Sequence, residues 1–138
     1  MRTLILIIAV LSLSFNNVNS TENFDNTTKL INIDQLFDEW YVTDAYTLKD
    51  HIKSDAMKEV RSAKFVFESN NVFKIIDCTK GNSVDKGNWK LNKDNSIDVT
   101  LYESKINFKI QTLNENYLEL VSYGKKTTKV ITFSSEEL

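Results

Sequence analysis

The residue types that commonly carry catalysis are scarce in this chain of 138 residues. Its single histidine, His51, precedes Asp55 and Glu59 by four and eight positions, so on a helix the three side chains would share one face at a spacing compatible with a metal. A zinc or transition-metal site normally uses several nitrogen or thiolate donors, and this set offers one. We therefore interpret the three residues as part of a solvated, charged helix face, and we predict no metal and no cofactor.

Acid–base and nucleophilic chemistry also lack a complete set of residues. Catalysis of the serine–histidine–aspartate type would require His51 to leave a predicted surface helix and meet its partners. The acids on predicted strands, Asp98, Glu103 and Glu119, fall at outward or turn positions, where they cannot face each other across a cleft as glycoside hydrolysis requires. The one cysteine, Cys78, is predicted to be a small, half-buried residue at a strand end. An enzyme is thus the least favoured hypothesis, and we predict that the chain is not one.

The first 20 residues have the pattern of a secretory signal peptide. A positive start at residues 1–2, an apolar run at 4–15 and a small-residue exit at 18–20 follow in that order. The run is shorter than the ~20 residues of a membrane-spanning helix, and no later apolar stretch is longer, so we expect no membrane-spanning segment in the mature chain. No cysteine stands near the predicted cleavage site to take a lipid anchor. The sequence therefore predicts a secreted or periplasmic protein.

The rest of the chain is predicted to form one domain. Residues 21–30 are polar and without periodicity, which indicates a flexible lead-in, and the domain is predicted over residues 31–138. Removal of Arg2 leaves 16 basic against 19 acidic residues, and no basic run is present to follow a phosphate backbone. Nucleic acid is therefore not expected as a partner.

Apolar residues recur at every second position beyond residue 63, which is the period of a half-buried β-strand. With an aromatic and β-branched segment before them, they predict eight strands, at 40–46, 65–67, 72–76, 89–91, 97–101, 106–110, 118–120 and 129–133. Asparagine accompanies many of the predicted turns and tolerates the positive φ of tight hairpins, and no proline interrupts the strands. Eight strands with local turns predict an all-β, antiparallel, up-and-down barrel, because closure removes the exposed edges.

One segment departs from this alternation. Leu48, Ile52, Met57, Val60 and Ala63 recur at spacings of three to five among charged residues. The spacing predicts one short helix, over about 48–62, between the first two strands. We expect it to act as a lid or plug at one end of the barrel, or as a brace outside it.

Alternation also predicts which side chains point into the barrel. The inward positions are all apolar: Trp40, Val42, Phe65, Phe67, Trp89, Leu91, Ile97, Val99, Leu101, Ile106, Phe108, Ile110, Leu118 and Leu120. Segments 72–77 and 129–133 are apolar on both faces, so the pattern leaves their register open. An eight-stranded barrel holds either its own side chains or one small ligand, and both outcomes stay open here. For a ligand, the predicted lining is Trp40, Phe65, Phe67, Trp89, Phe108, Ile110 and Leu120.

Three short motifs resemble a known family. They are FVFESNNVFKI at 65–75, GNWKLNKD at 87–94 and YLEL at 117–120. An F-x-F strand, a turn and an F-x-I strand followed by a G-x-W strand are similar to the small lipocalin-like domains exported by bacteria of the Bacteroidetes type. The resemblance covers about Leu36 to Ser134, and it implies an eight-stranded, calycin-type barrel with a capacity for small hydrophobic molecules.

Two functions follow as hypotheses. The first is an exported binding protein that takes a small hydrophobic molecule in its barrel. The second is a filled barrel that acts through its surface, as an inhibitor or protein-interaction module, using loops such as residues 78–86 and the helix predicted over 48–62.

Overall fold

The structure, a computed structural model, describes residues 31–60, 62–79 and 81–137. The predicted signal peptide (1–20) and flexible lead-in (21–30) lie outside the described residues.

Antiparallel strands dominate the described part of the chain. A 3₁₀ helix spans Ile33–Leu36, and a single turn of α-helix, α1, spans Met57–Val60. The strands are β1 (Glu39–Lys49), β2 (Ile52–Asp55), β3 (Ala63–Phe67), β4 (Val72–Asp77), β5 (Ser83–Leu91), β6 (Ser96–Leu101), β7 (Ser104–Leu113), β8 (Tyr117–Tyr123) and β9 (Thr127–Ser134).

These strands close into a barrel. They lie in the order β2-β1-β3-β4-β5-β6-β7-β8-β9, and β1 also pairs with β9 from Tyr41 opposite Ser134 to Lys49 opposite Thr127. Every neighbouring pair is antiparallel, and β2 lies beside the far half of β1, beyond the stretch that pairs with β3. The predicted eight-stranded, up-and-down barrel is confirmed, with β2 as an added hairpin strand.

The helix predicted over 48–62 is wrong for most of its length. Leu48 belongs to β1, and Asp50 and His51 form the turn into β2 with φ values of 50° and 64°. Only Met57–Val60 is helical, so the short helix between the first two barrel strands is present but much shorter than expected. The apolar spacing is misleading because Ile52 is 68% exposed and marks no buried face. The edge of β9 needs a partner along its whole length, and the extension of β1 supplies it.

Asparagine supplies several of the turns, as predicted. Asn71, Asn82 and Asn95 adopt φ values of 65°, 56° and 61° in the turns that follow β3, β4 and β5. Tyr102 does the same in the turn between β6 and β7, with φ of 53°. A short polar side chain makes the left-handed conformation accessible to asparagine, which explains a meander built with few glycines.

The two ends of the barrel differ. At the end where β1 begins, here named the capped end, Asp34 N–H donates to the Asn32 side chain at 3.1 Å and starts the 3₁₀ helix. Leu36 of this helix is fully buried, and Trp40 Nε1 donates to its carbonyl oxygen at 3.1 Å. At the opposite end, here named the α1 end, α1 buries Val60 in the core. No helix within 31–60, 62–79 or 81–137 is long and apolar enough to cross a bilayer.

Candidate ligand site in the barrel interior

The predicted lining residues all belong to one buried core. None is more than 5% exposed: Trp40, Phe65, Phe67, Trp89, Phe108, Ile110 and Leu120. Ile110 and Leu120 lie directly opposite each other on β7 and β8, and Phe108 lies opposite Ile97 on β6. The inward orientation inferred from alternation is correct for these seven positions. Their contact with a ligand stays a prediction.

Aromatic rings pack against one another on one wall of the interior. The Phe73 ring contacts Phe65 at 5.4 Å between centroids, edge to face, and Phe67 at 5.0 Å. Phe67 also meets Trp89 edge to face at 5.8 Å, and Phe65 meets Phe133 at 4.9 Å. These distances lie in the favourable range for aromatic pairs, so the rings fix one another's positions. Phe73 and Phe133 are lining candidates that the sequence pattern left open, because both faces of their strands carry apolar residues.

The polar atoms of both tryptophans are used by the protein itself. Trp89 Nε1 donates to the Glu68 carbonyl oxygen at 3.0 Å, as Trp40 Nε1 does to Leu36. Phe37 lies over Trp89 at 5.9 Å between centroids. Because both indole N–H groups bond to the backbone, the tryptophans offer only carbon to the interior.

Gly87 explains the glycine of the G-x-W motif. A Cβ at this position would lie 2.0 Å from the Thr100 carbonyl oxygen of β6. Only glycine therefore permits β5 to approach β6 this closely, two residues before Trp89 enters the core.

Leu91, predicted to point inward, lies opposite core residue Ile97 of β6 and so on the inner face. It is nevertheless 36% exposed, because it ends β5 beyond the stretch that pairs with β4, which stops at Asn88. One prediction about a single position is wrong. Cys78, predicted to be half-buried, is exposed because β4 ends at Asp77 and the chain leaves the barrel wall. Val42, also predicted to point inward, packs against the core and is partly buried.

Polar side chains occupy inner positions near the α1 end, where the sequence analysis considered only apolar ones. Lys129 is buried and lies two positions before core residue Ile131 on β9, and Ser122 is buried two positions after Leu120 on β8. Burial lowers the pKa of the Lys129 ammonium below its usual value, and the charge of Glu59 opposes that shift. Counting back by two from Ile131 would have found this inward lysine in the sequence.

A groove lies at the rim of the same end. The β1–β2 turn and the β8–β9 turn enclose about 530 Å³ between them, lined by Leu48, Asp50, His51, Gly124, Lys125, Lys126, Thr127 and Thr128. Three of these eight residues are lysine or histidine and one is acidic. The groove is thus a basic region on a chain whose formal net charge is −2.

The strand acids considered for catalysis in the sequence analysis bond to polar side chains of neighbouring residues. Asp98 accepts a hydrogen bond from Asn107 Nδ2 at 2.8 Å and lies 3.3 Å from Lys105 Nζ. Partial burial opposes ionisation of Asp98, but these donors outweigh it and leave the pKa below its usual value. Glu119 accepts from Tyr117 Oη at 3.0 Å, and burial together with this bond raises the pKa of Tyr117. Glu103, the third of these acids, is exposed in the turn between β6 and β7.

The helix face that would align His51, Asp55 and Glu59 does not form. His51 lies in a turn, Asp55 at the end of β2 and Glu59 in α1. Within the described residues, no group of three or more histidine, cysteine, aspartate or glutamate side chains is placed to hold a metal ion.

Comparison with known structures bears on the fold. A lipocalin-like protein from Bacteroides uniformis is 20% identical, with a TM-score of 0.52 over 70% of this chain and 96% of that one. Bovine odorant binding protein in complex with a selenium-containing odorant is 15% identical, with a TM-score of 0.48 over 86% of this chain and 79% of its own. The complex of bovine odorant binding protein with undecanal is 16% identical, with a TM-score of 0.49 over 85% of this chain and 79% of its own.

No protein-family model and no curated protein matches the sequence. At 20% identity, the similarity to the Bacteroides uniformis protein is evidence for the fold alone. Together with the closed meander, it shows that the chain has the fold of a bacterial lipocalin-like protein.

Proposed function

We propose that this chain is an exported, non-enzymatic binding protein that takes a small hydrophobic ligand inside its barrel. The observation that carries the proposal is a closed barrel, capped at one end, whose inner wall is built mainly from carbon side chains. Apolar walls with a few placed polar groups are typical of small-molecule sites, and the mouth of a β-barrel is a common place for them. The likeness to a lipocalin-like protein supports the same class of function by analogy.

Titration with an uncharged fluorescent dye, N-phenyl-1-naphthylamine, tests the proposal. We expect its emission to rise on binding to the full chain, and we expect Val99→Trp to weaken binding by about tenfold or more, because Val99 is 1% exposed on the inner face of β6. Val84→Trp is the matched control, since Val84 is 52% exposed on β5. Circular dichroism verifies that both variants are folded. Absence of dye binding to the wild type, or equal binding by both variants, contradicts the proposal.

Export is tested separately from binding. The signal-peptide pattern predicts cleavage after Ser20, so the exported product should begin at Thr21. Expression of the full chain in a bacterium, followed by fractionation and N-terminal sequencing, measures this directly. Ile8→Arg, which interrupts the apolar run, should leave the product uncleaved inside the cell. An uncleaved wild-type product would contradict export by this route.

Exposed apolar side chains on β5 and at the turn after β6 favour a second candidate, a surface that binds another protein. Val84 is 52% exposed and Tyr102 67%, and Tyr102 Oη donates to Asp85, the neighbour of Val84. Apolar groups of this kind at loops are common in interaction surfaces. Crosslinking of the wild type and of Val84→Asp in the exporting cell tests whether a partner binds this surface. A partner that crosslinks to the wild type and not to Val84→Asp supports this candidate. A partner that crosslinks equally to both contradicts it.

A further inference from the structure

The most exposed large apolar side chains of the described residues lie at one end of the barrel. Ile52 is 68% exposed at the start of β2, Tyr102 is 67% exposed in the turn between β6 and β7, and Tyr123 is 55% exposed at the end of β8. The turns after β1, β6 and β8 all belong to the α1 end of the meander. At the capped end, Phe37 and Leu91 are only 37% and 36% exposed. Single exposed apolar residues are common, but their concentration at one end indicates a contact surface.

Two of these three side chains are tyrosines, which suit a boundary between water and lipid. The ring has an apolar body and a polar tip, and tyrosine is enriched at the headgroup level of membranes for this reason. Tyr102 Oη donates to Asp85, so its hydroxyl is held at the rim of the barrel.

Charge is distributed unequally between the two ends. Among the described residues, exposed charges in the turns of the α1 end, in α1 and at the last residue of β1 are four lysines and two acids: Lys49, Lys58, Lys125, Lys126, Asp50 and Glu103. Those in the turns and flanking segments of the capped end are Lys93 and six acids: Asp34, Asp38, Asp94, Glu115, Glu136 and Glu137. An anionic surface therefore attracts the α1 end and repels the capped end, which orients the barrel upright on it.

The rim groove supplies a place for anionic headgroups. It encloses about 530 Å³ and carries Lys125 and Lys126. None of the four salt bridges among the described residues involves either lysine. A lysine ammonium binds phosphate as a point charge, so both side chains can contact lipid phosphates. Ile52 and Tyr123 adjoin the groove-lining segments in sequence, which places apolar tips beside the ammonium groups.

We infer that the α1 end docks on the surface of an anionic phospholipid bilayer. Ile52, Tyr102 and Tyr123 lie at the headgroup level, and Lys125 and Lys126 contact lipid phosphates. The turns of one barrel end reach a common plane, so a flat partner contacts all three apolar tips together, although they belong to separate turns. This inference goes beyond the proposed function and does not depend on a ligand inside the barrel.

A dye on the single cysteine of the sequence tests this placement. Cys78 is exposed at the α1 end, just after β4, so a nitrobenzoxadiazole label on its thiol reports whether that end enters a less polar environment. The matched control carries the label at the capped end, in Glu115→Cys with Cys78→Ser. All proteins are full length and carry Ile8→Arg, which interrupts the apolar run of residues 4–15 in every sample alike.

Vesicles of phosphatidylcholine, alone or with one quarter phosphatidylglycerol, are titrated into each labelled protein. We expect the Cys78 label to brighten with the mixed vesicles and the label of Glu115→Cys to stay unchanged. Binding to phosphatidylcholine alone should be weaker by about tenfold or more, since each lysine near an anionic surface strengthens binding about fivefold.

Variants of the Cys78-labelled protein test the groups that make the contact. Lys125→Gln with Lys126→Gln should weaken binding to the mixed vesicles by about 10- to 30-fold. Lys90→Gln with Lys93→Gln, two exposed lysines at the capped end, is the matched control and should change it by less than about twofold. Tyr123→Ser should weaken binding by about threefold or more, because apolar area leaves the headgroup level.

The outcomes separate this inference from the proposed function. If mixed vesicles do not bind, or if both labels respond equally, the inference is overturned, while ligand binding in the barrel is measured without vesicles and is unaffected. Equal loss of binding in the two lysine pairs also overturns it. A protein that crosslinks through the α1 end when mixed vesicles do not bind identifies a protein interface instead. The comparison of the two labels needs no lysine variant, so it decides even if one of them does not fold.

Discussion

Gly87→Ala is expected to lower the free energy of unfolding more than Gly81→Ala does. Gly87 is crowded by a neighbouring strand, whereas Gly81 has a left-handed backbone in open space. The new Cβ would lie 2.0 Å from the Thr100 carbonyl oxygen and 3.0 Å from Leu101 Cδ2, whereas ordinary contacts begin at 3.4 Å. The obstructing oxygen is backbone, so it cannot rotate away, and β5 must move more than ~1 Å from β6. Overpacking of this kind costs about 1–3 kcal/mol, and the loss of one or two ladder hydrogen bonds adds about 1 kcal/mol each. We expect a total of about 3–5 kcal/mol.

The assay is urea denaturation followed by tryptophan fluorescence, which reports on Trp89 two residues away. Gly81→Ala is the control, because Gly81 has φ of 66° and no atom lies within 4 Å of the position its Cβ would take, so only backbone strain of about 1 kcal/mol is added. The comparison isolates the close approach from the general effect of losing a glycine. If the two variants lose equal stability, or if Gly87→Ala folds with the same separation of β5 and β6, the explanation given for the G-x-W motif is wrong.

Three further predictions concern other parts of the barrel. Trp40→Phe removes the bond from Nε1 to the Leu36 carbonyl, so it should lower the free energy of unfolding by about 1–3 kcal/mol, measured by urea denaturation. His51→Gly should stabilise the Asp50–His51 turn by about 0.5–1 kcal/mol, because φ at His51 is 64°. In a helix the same substitution would destabilise the protein by about 1 kcal/mol. The sign of the change in melting temperature therefore distinguishes a turn from a helix at this position. Lys129→Met should stabilise the protein at pH 7 by about 0.5–1 kcal/mol, since it removes a partly desolvated ammonium that is still screened by solvent. Burial lowers the pKa of Lys129 in the folded state, so the unfolded chain keeps this proton to a higher pH, and wild-type stability should rise as pH approaches 10.5. Denaturation at pH 7 and at about pH 10 should therefore show that the stability advantage of Lys129→Met shrinks at the higher pH. A constant difference in stability would contradict the assignment.

The prediction of the barrel succeeded where one face of a strand is polar and the other apolar. Phe65, Phe67, Phe108 and Ile110 follow strict alternation, and all four are buried. The prediction failed between β1 and β3, where apolar residues happen to recur at helical spacing. There β1 continues as a strand because it pairs with β9, and the left-handed turn at Asp50 then directs the chain into β2. Pairing with a strand this distant in sequence overrides the local helical spacing, and a short stretch of sequence carries no information about it.

The sequence by itself determined the class of fold, because period-two burial, frequent turn residues and the absence of proline each act locally and agree with one another. It also determined most of the apolar interior, since a one-residue slip would turn every such side chain to water. Only the tertiary structure decided how β5 approaches β6 at Gly87, which aromatic rings meet, and that Lys129 lies inside the wall. These features depend on the distance between strands that closure brings together, and closure joins β1 to β9 across nearly the whole length of the domain.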